Sequence, residues 1–367
     1  MSLPLALVLV ATSTPTPDVP RIEVLTFGRG EDPFSHFGHA AVCIRDRATP
    51  EGRCLNYGTA DFSTPVPLTL SFLRGEASFW VSEVDRPRTV AWYQRENRSI
   101  ERQDLPLAPE EATALRAALE ASSAPDVRYY KYHHFRDNCT TRIRDLIDNA
   151  TGGRLAAATK DAPSGHRFRD YVEDGFGDQL ALLALSHVMV GRAVDRPASE
   201  WEAMFLPSAF RDGLTKVYGA TPADEFVSGR KSEPHPRWSG HALILGLGLI
   251  SALLARKKRA PALLVPSILG LLILAVSIYS VQDELHINEA LLVLWPTDVL
   301  FARRRNYLKA RIVWLAVIAV LLLAGVLVQP LGSAVIALLG VMLSRLQKLG
   351  TQEPPMQRLV GQQSRSD

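Results

Sequence analysis

Tyr129-Tyr130-Lys131-Tyr132-His133-His134-Phe135-Arg136-Asp137-Asn138-Cys139-Thr140-Thr141-Arg142 is the stretch on which the reading of this chain turns. Its alternating aromatic start predicts a strand. The polar run Arg136-Asp137-Asn138 then favours an N-cap, so a helix follows directly. In that helix Ile143, Leu146, Ile147 and Ala150 share one face at i, i+3, i+4, i+7, and Gly152-Gly153 stops it. Cys139 lies four residues before Ile143, on the buried face of the first turn. The positive end of the helix dipole is expected to lower a thiol pKa there and raise its thiolate fraction.

A thiol nucleophile needs a base. Ser35-His36-Phe37-Gly38-His39-Ala40-Ala41-Val42 opens a second alternating strand through Ile44. A His at a strand start can face a Cys at the head of a helix packed on the same sheet. Taken singly, a helical Cys is usually core packing and a strand His an ordinary polar residue. Taken together they point to Cys139 as nucleophile and His39 as base. His precedes Cys, the order of circularly permuted papain-like folds.

The remaining cysteines, Cys43 and Cys54, flank a turn-rich segment between two strand-like runs. In an oxidising compartment they could form a cross-strand disulfide; otherwise they are two reduced strand residues. With that pair joined, Cys139 is the odd thiol.

At 367 residues the chain can hold a soluble domain and something more. Residues 20–238 carry most of the charge in mixed sign, whereas 239–348 are largely Leu, Val, Ile, Ala and Gly. The net charge of +3 comes from basic clusters between apolar runs, not from a Lys/Arg patch interleaved with aromatics, so no nucleic-acid partner is expected. The apolar runs cover 239–255, 261–281, 285–302, 312–328 and 331–343. Arg256-Lys257-Lys258-Arg259, the Arg303-Arg304-Arg305 group and the Arg345/Lys348 pair fall in alternate connections. The positive-inside rule makes these cytoplasmic, which gives five spans and puts residues 20–238 on the far side of the membrane. The third run, holding Asn288, Glu289 and Asp298, is the least apolar. Residues 1–19 resemble a short signal peptide without a basic residue before its apolar core, so either the start is truncated or the signal is atypical. Residues 349–367 are expected to be a cytoplasmic tail.

Within the soluble part, strands are expected at 22–27, 39–44 and 54–57, with a strand pair at 79–84 and 89–93. Pro109 starts a helix, and 160–238 reads as a helical extension of a catalytic domain spanning 20–159. Leu180 to Val190 is too short to span and reads as a core helix. Arg142 and Arg144 are expected on the exposed face of the Cys139 helix. The expected class is α+β: a papain-like (permuted Cys-His) domain followed by an α-helical membrane domain.

Further stretches match one family. Phe37-Gly38-His39-Ala40, Leu55-Asn56-Tyr57-Gly58-Thr59-Ala60-Asp61-Phe62, Phe72-Leu73-Arg74-Gly75, the Asn138-Cys139-Thr140-Thr141-Arg142 run, Met204-Phe205-Leu206-Pro207 and His286-Ile287-Asn288-Glu289 come in one order. Over about residues 20–305 the chain resembles the Lnb family of bacterial lipoprotein N-acyltransferases, whose N-terminal periplasmic domain is papain-like. It departs from the family at Ala60 and at Trp295-Pro296-Thr297. The resemblance implies an inner-membrane, multi-pass enzyme with its catalytic domain in the periplasm. Cys139 would take an acyl chain from a membrane phospholipid as a thioester, with His39 as base, and pass it to the α-amine of a diacylated apolipoprotein.

Asn56, Tyr57 and Asp61 are candidates to orient His39 or line the cleft, with an Asx turn as the plainer reading of Asp61. Asn138, His36, His286 and Asn288 complete the candidate site, the last two at the outer membrane edge. No cofactor is implied, and the histidines lack a metal-binding spacing. Two other functions remain open: a membrane-tethered cell-wall peptidase or amidase, and a non-enzymatic assembly factor in which Cys139 is only core.

Overall fold

The computed structural model describes residues 18–31, 35–230, 233–256 and 262–351. All of the signal-like segment except Asp18 and Val19 lies outside these residues, as does the expected tail from residue 352 on.

Among the described residues nine strands form two sheets: β1 (Arg21–Phe27), β2 (His39–Arg45), β3 (Arg53–Thr59), β4 (Ser78–Asp85), β5 (Ile100–Asp104), β6 (Tyr129–Lys131), β7 (Pro163–Arg167), β8 (Pro197–Ser199) and β9 (Ala223–Phe226). Seven lie side by side in the order β6-β4-β3-β2-β1-β5-β9, each neighbour antiparallel, while β7 and β8 pair separately. The first helices are α1 (Pro65–Arg74), α2 (Arg86–Arg95), α3 (Pro109–Ser122) and α4 (Cys139–Ala150). Both faces of the central strands are covered, so β1 and β2 are buried almost without alternation. Val24, Val42 and Leu55 meet Leu115 and Leu119 of α3 and Ile143 and Ile147 of α4. Leu25, Ala41, Cys43 and Cys54 turn the other way, towards Val90 and Tyr93 of α2.

Residues 89–93 are therefore helix, not the second strand of a hairpin. Pro87 in the first helical turn suits a helix start, and Arg86, Thr89 and Val90 are buried at helical spacing. The expected boundary at residue 159 does not divide the sheet either. After α5 (Arg154–Thr159), α6 (Phe168–Gly175), α7 (Leu180–Met189) and α8 (Glu200–Ala203), α9 (Pro207–Tyr218) puts Phe210 and Leu214 into the main core. β9 then pairs with β5 at the sheet edge. Arg144 also departs from expectation: it is buried under Trp201, 3.9 Å from guanidinium carbon to ring centroid, and donates to the Trp201 carbonyl.

The C-terminal part holds α10 (Trp238–Arg256), α11 (Leu264–Tyr279), α12 (Asp283–His286), α13 (Ala290–Val293), α14 (Asp298–Phe301), α15 (Arg305–Leu323) and α16 (Gly332–Thr351). Three of these, α10, α15 and α16, are long and apolar enough to cross a membrane, and α11 is a shorter apolar helix. α10 and α16 run parallel. His241 meets Ser333 at 3.0 Å near one end, and a Cβ on Gly248 would lie 2.3 Å from Ala337 further along. Small residues let the two backbones approach this closely.

The third apolar run is not one helix but three short ones. Asn288 caps α13 by accepting from the Ala290 N–H, and Pro296 interrupts the path before α14. The broken segment still travels along α11. Its Leu285 carbonyl accepts from Ser277, and ten residues later Trp295 and Val299 meet Ser267. At 1.5 Å per residue those two serines are about 15 Å apart along the helix. Asp298 anchors the far end, bonding Arg311 at 2.8 and 3.0 Å and Tyr307 at 2.6 Å.

Candidate active site

Asn138 builds the head of α4. Its side-chain oxygen accepts from the N–H groups of Thr140 and Thr141, both at 2.9 Å, while its amide donates to the carbonyls of His134 and Phe205. One side chain thus caps the helix and ties it to two loops. With the next two N–H groups taken up by Asn138, the Cys139 N–H is turned to its own sulphur. The Thr140 hydroxyl lies 3.5 Å from Cys139 Sγ.

His39 begins β2, and side-chain alternation decides its companions. Val42 pairs with Leu55 and Cys43 with Cys54, so extending that register sets His39 across from Gly58. Asn56 shares the His39 face, one pair along, and its side chain hydrogen-bonds the imidazole. Tyr57 must point the opposite way; its hydroxyl meets Ser122 on α3 at 2.5 Å. Gly58 lies between Cys139 and His39. A Cβ there would stand 3.5 Å from Cys139 Cβ and 3.7 Å from His39 Cε1, and its φ of +105° is one that side chains rarely adopt.

Burial governs the charge state. It pushes the Cys139 thiol above its ordinary value, and the Thr140 hydroxyl, the Ala40 amide and the Arg98 charge only partly offset this. The expected dipole-lowered thiolate is overruled by desolvation. Burial also lowers His39 to about 3, helped by Arg98 and opposed by the Asn56 hydrogen bond. The resting pair is a neutral thiol beside a neutral imidazole.

These residues sit on the floor of an open cavity of about 1430 Å³. Phe62, Pro65, Leu68 and Phe79 give it apolar lining, and Arg88, Trp92, Arg95 and Arg98 give it basic and aromatic lining. Arg98 is buried, donates to the Gly28 carbonyl at 2.8 Å and stacks 4.8 Å over Tyr93. His134 lines the cavity beside Cys139, wedged among Phe37, Phe135 and Phe205, and burial lowers its ring to about 4.

Residues 11–171 match the family model of the Lnb N-terminal periplasmic domain. This part of the chain is similar to that domain. No curated protein and no solved structure matches the chain. The matched residues include Cys139, His39, Asn56, Gly58, Arg98 and His134, but end before Phe205 and Pro207, which close the cavity behind them.

Several candidates lie away from the cavity. Asp61 is exposed and accepts from the Ser63 N–H at 3.0 Å, an Asx turn. His36 is buried against the edge of Phe176 and does not line the cavity. His286 is exposed on α12, and Asn288 is buried, donating to the Val188 and Met189 carbonyls at the end of α7. Neither lines the cavity. What the α12 region does touch is the loop before Cys139. Glu284 bonds Arg136 at 2.8 Å and has His133 Nε2 at 3.4 Å. Arg98 and Tyr93 were not foreseen: they flank a turn whose position follows from the α2 helix that sequence patterning read as a strand.

Proposed function

We propose that the protein is a phospholipid-dependent lipoprotein N-acyltransferase that works through a Cys139 thioester. The observation that carries this reading is that Cys139, His39 and the Asn56 bonded to it line one cavity with apolar lining, in a chain that also holds membrane-type helices. A Cys-His-Asn set suits a papain-like acyl transfer. The parallel α10 and α16 support five traverses of an inner membrane: an odd number of passages must separate two parallel helices, and α11, the broken segment and α15 supply three.

In the first half-reaction Cys139 Sγ attacks an ester carbonyl of the phospholipid while His39 takes the thiol proton. Asn56 holds the imidazole in the orientation that receives it. The Cys139 N–H donates to the oxyanion of the tetrahedral adduct. As the adduct collapses, the C–O bond breaks, His39 returns its proton to the departing alkoxide, and lysophospholipid leaves. In the second half-reaction the α-amine of the diacylated apolipoprotein attacks the thioester, His39 takes the amine proton, and Cys139 leaves and is reprotonated. Because the resting pair is neutral, proton transfer accompanies attack instead of preceding it.

The test is mass spectrometry of lipoprotein N-termini in cells deprived of their usual N-acyltransferase. The wild-type chain should yield the amide-linked third acyl group. Cys139→Ser should yield none while still inserting in the membrane, because a neutral serine beside a neutral imidazole is a far weaker nucleophile. Near-normal acylation by the serine variant would overturn the thiol mechanism.

A further inference from the structure

α1 is an unusual surface helix. From Phe62 to Leu73 twelve consecutive residues carry no charge. Leu68 is buried and Phe72 packs beside it, against Phe79 and Tyr130. Val66 and Leu70, four residues apart, turn away from that cluster and stand 67% and 51% exposed. An amphipathic surface helix puts polar residues on that face.

The two ends of α1 say what covers it. Its N-terminal end is the mouth of the cavity, where Phe62, Pro65, Leu68 and Thr69 form the wall. Its C-terminal end abuts the outer end of the apolar helix α11. The Arg74 carbonyl accepts from the Val281 N–H, the Phe72 carbonyl accepts from the Gln282 amide, and the Arg74 guanidinium lies 5.4 Å from the Tyr279 ring centroid. The approach is close: a Cβ on Gly75, whose φ is +83°, would stand 3.0 Å from the Val281 side chain. At this junction Ile278 and Val281 are 76% and 73% exposed, so the apolar surface of α11 continues into that of α1.

We infer that α1 lies in the outer leaflet of the bilayer, its Val66/Leu70 face among the lipid tails, and forms the sill over which an acyl chain passes from the membrane to Cys139. The inference rests on the acyltransferase reading for its second half only; insertion of α1 stands by itself. Continuity with a membrane-type helix fixes the occupant as lipid. An uncharged apolar helix lying in the interface sinks about 5–10 Å into the headgroup–acyl boundary, deep enough to bury Leu70. The lining of the cavity fits this orientation. α1 supplies apolar lining, where a tail would arrive, and Arg88, Arg95 and Arg98 of the same cavity supply the cations that would hold a phosphate.

Two measurements on the full-length chain in nanodiscs test this. In a Cys139→Ser background, Leu70→Cys is labelled with an environment-sensitive dye, and Asp224→Cys on β9, at the opposite sheet edge, serves as control. Lipids brominated along the acyl chain should quench the dye at residue 70 at least about twofold and leave residue 224 unchanged. A dye at residue 70 that is quenched by aqueous iodide and not by brominated lipid overturns insertion. Shielding from both quenchers would mean that a protein covers the face, and overturns it equally. In the second measurement Val66→Asp/Leu70→Asp should slow acylation of Cys139 from bilayer phospholipid at least about tenfold, yet leave acylation by a water-soluble short-chain thioester unchanged. Equal loss with both donors, or loss with neither, overturns the sill. If lipid quenches residue 70 but the wild-type chain is acylated by no phospholipid, α1 inserts and the acyltransferase reading is what fails.

Discussion

At the residue scale, two opposed requirements meet at Cys139. The proposed attack on a lipid ester calls for a water-poor site, and the same burial keeps the thiol protonated and lowers His39 to about 3. Arg98 biases the pair, favouring thiolate and disfavouring imidazolium. Replacing it with Gln removes one of the two influences that lower His39. The acid limb of the kcat/KM profile of Arg98→Gln should therefore lie at higher pH than that of the wild type, and an unmoved limb would show that His39 does not sense this charge. Asn56→Ala should lower kcat by about 10–100-fold with little change in KM, since it orients the base without touching the acyl chain. Gly58→Ala should cost about 1–3 kcal/mol through its backbone conformation and also crowd Cys139 and His39, so activity should fall further than melting temperature alone would suggest. Legibility at this scale followed chain geometry. The places of Cys139 and His39 could be read because a helix head and a strand start have local signatures. Asn56 and Tyr57 could not be separated until the β2–β3 register was known, because one residue's shift exchanges the two faces.

Among the elements, the Asn138 cap and the α4 face are as the sequence predicts, since capping and 3.6-residue periodicity are local properties. α2 escaped because Thr89-Val90-Ala91-Trp92-Tyr93 has strong strand propensity, and burial against β3 and β5 at helical spacing outweighed it. The third apolar run escaped for a different reason. Apolar content predicts a helix, but Asn288, Pro296 and Asp298 each divert the backbone, and their partners lie on α7, α11 and α15. The buried Asp298–Arg311 pair holds this broken path. Asp298→Ala leaves the arginine buried without its partner and should destabilise the protein by about 3–5 kcal/mol, read as a loss of folded protein in detergent titrations. A change below about 1 kcal/mol would mean that water reaches the pair.

For the whole molecule, the soluble and helical parts meet at the loop before Cys139, the proposed nucleophile. Burial works against the Glu284 carboxylate, but its contacts with His133 and Arg136 outweigh this and hold it near 2. The unfolded chain binds protons at His39 and His134 below about 6.5, while the folded chain refuses them until about 3 and about 4. Stability is therefore complete above about pH 6.5 and declines as pH falls. The Glu284 contribution, present above about 4.5, is lost in turn on the way down to about 2. Thermal melts should show a falling midpoint from pH 7 to 4, and His134→Phe should flatten that slope. An equal slope in the variant would assign the acid sensitivity elsewhere.

The bond between Cys43 and Cys54 joins β2 to β3 at positions directly opposite one another, on the face that carries His39 and Asn56. While it is intact, only one register between those strands is permitted. A slip of a single residue would bring Tyr57 to the imidazole and turn Asn56 into the core. Whether the base and its orienting amide share a face is thereby tied to an electron balance that neither residue takes part in. The thiol oxidant of the compartment acts as a licence for the site, and a chain held under reducing conditions would keep every residue of the site without the constraint that makes them neighbours.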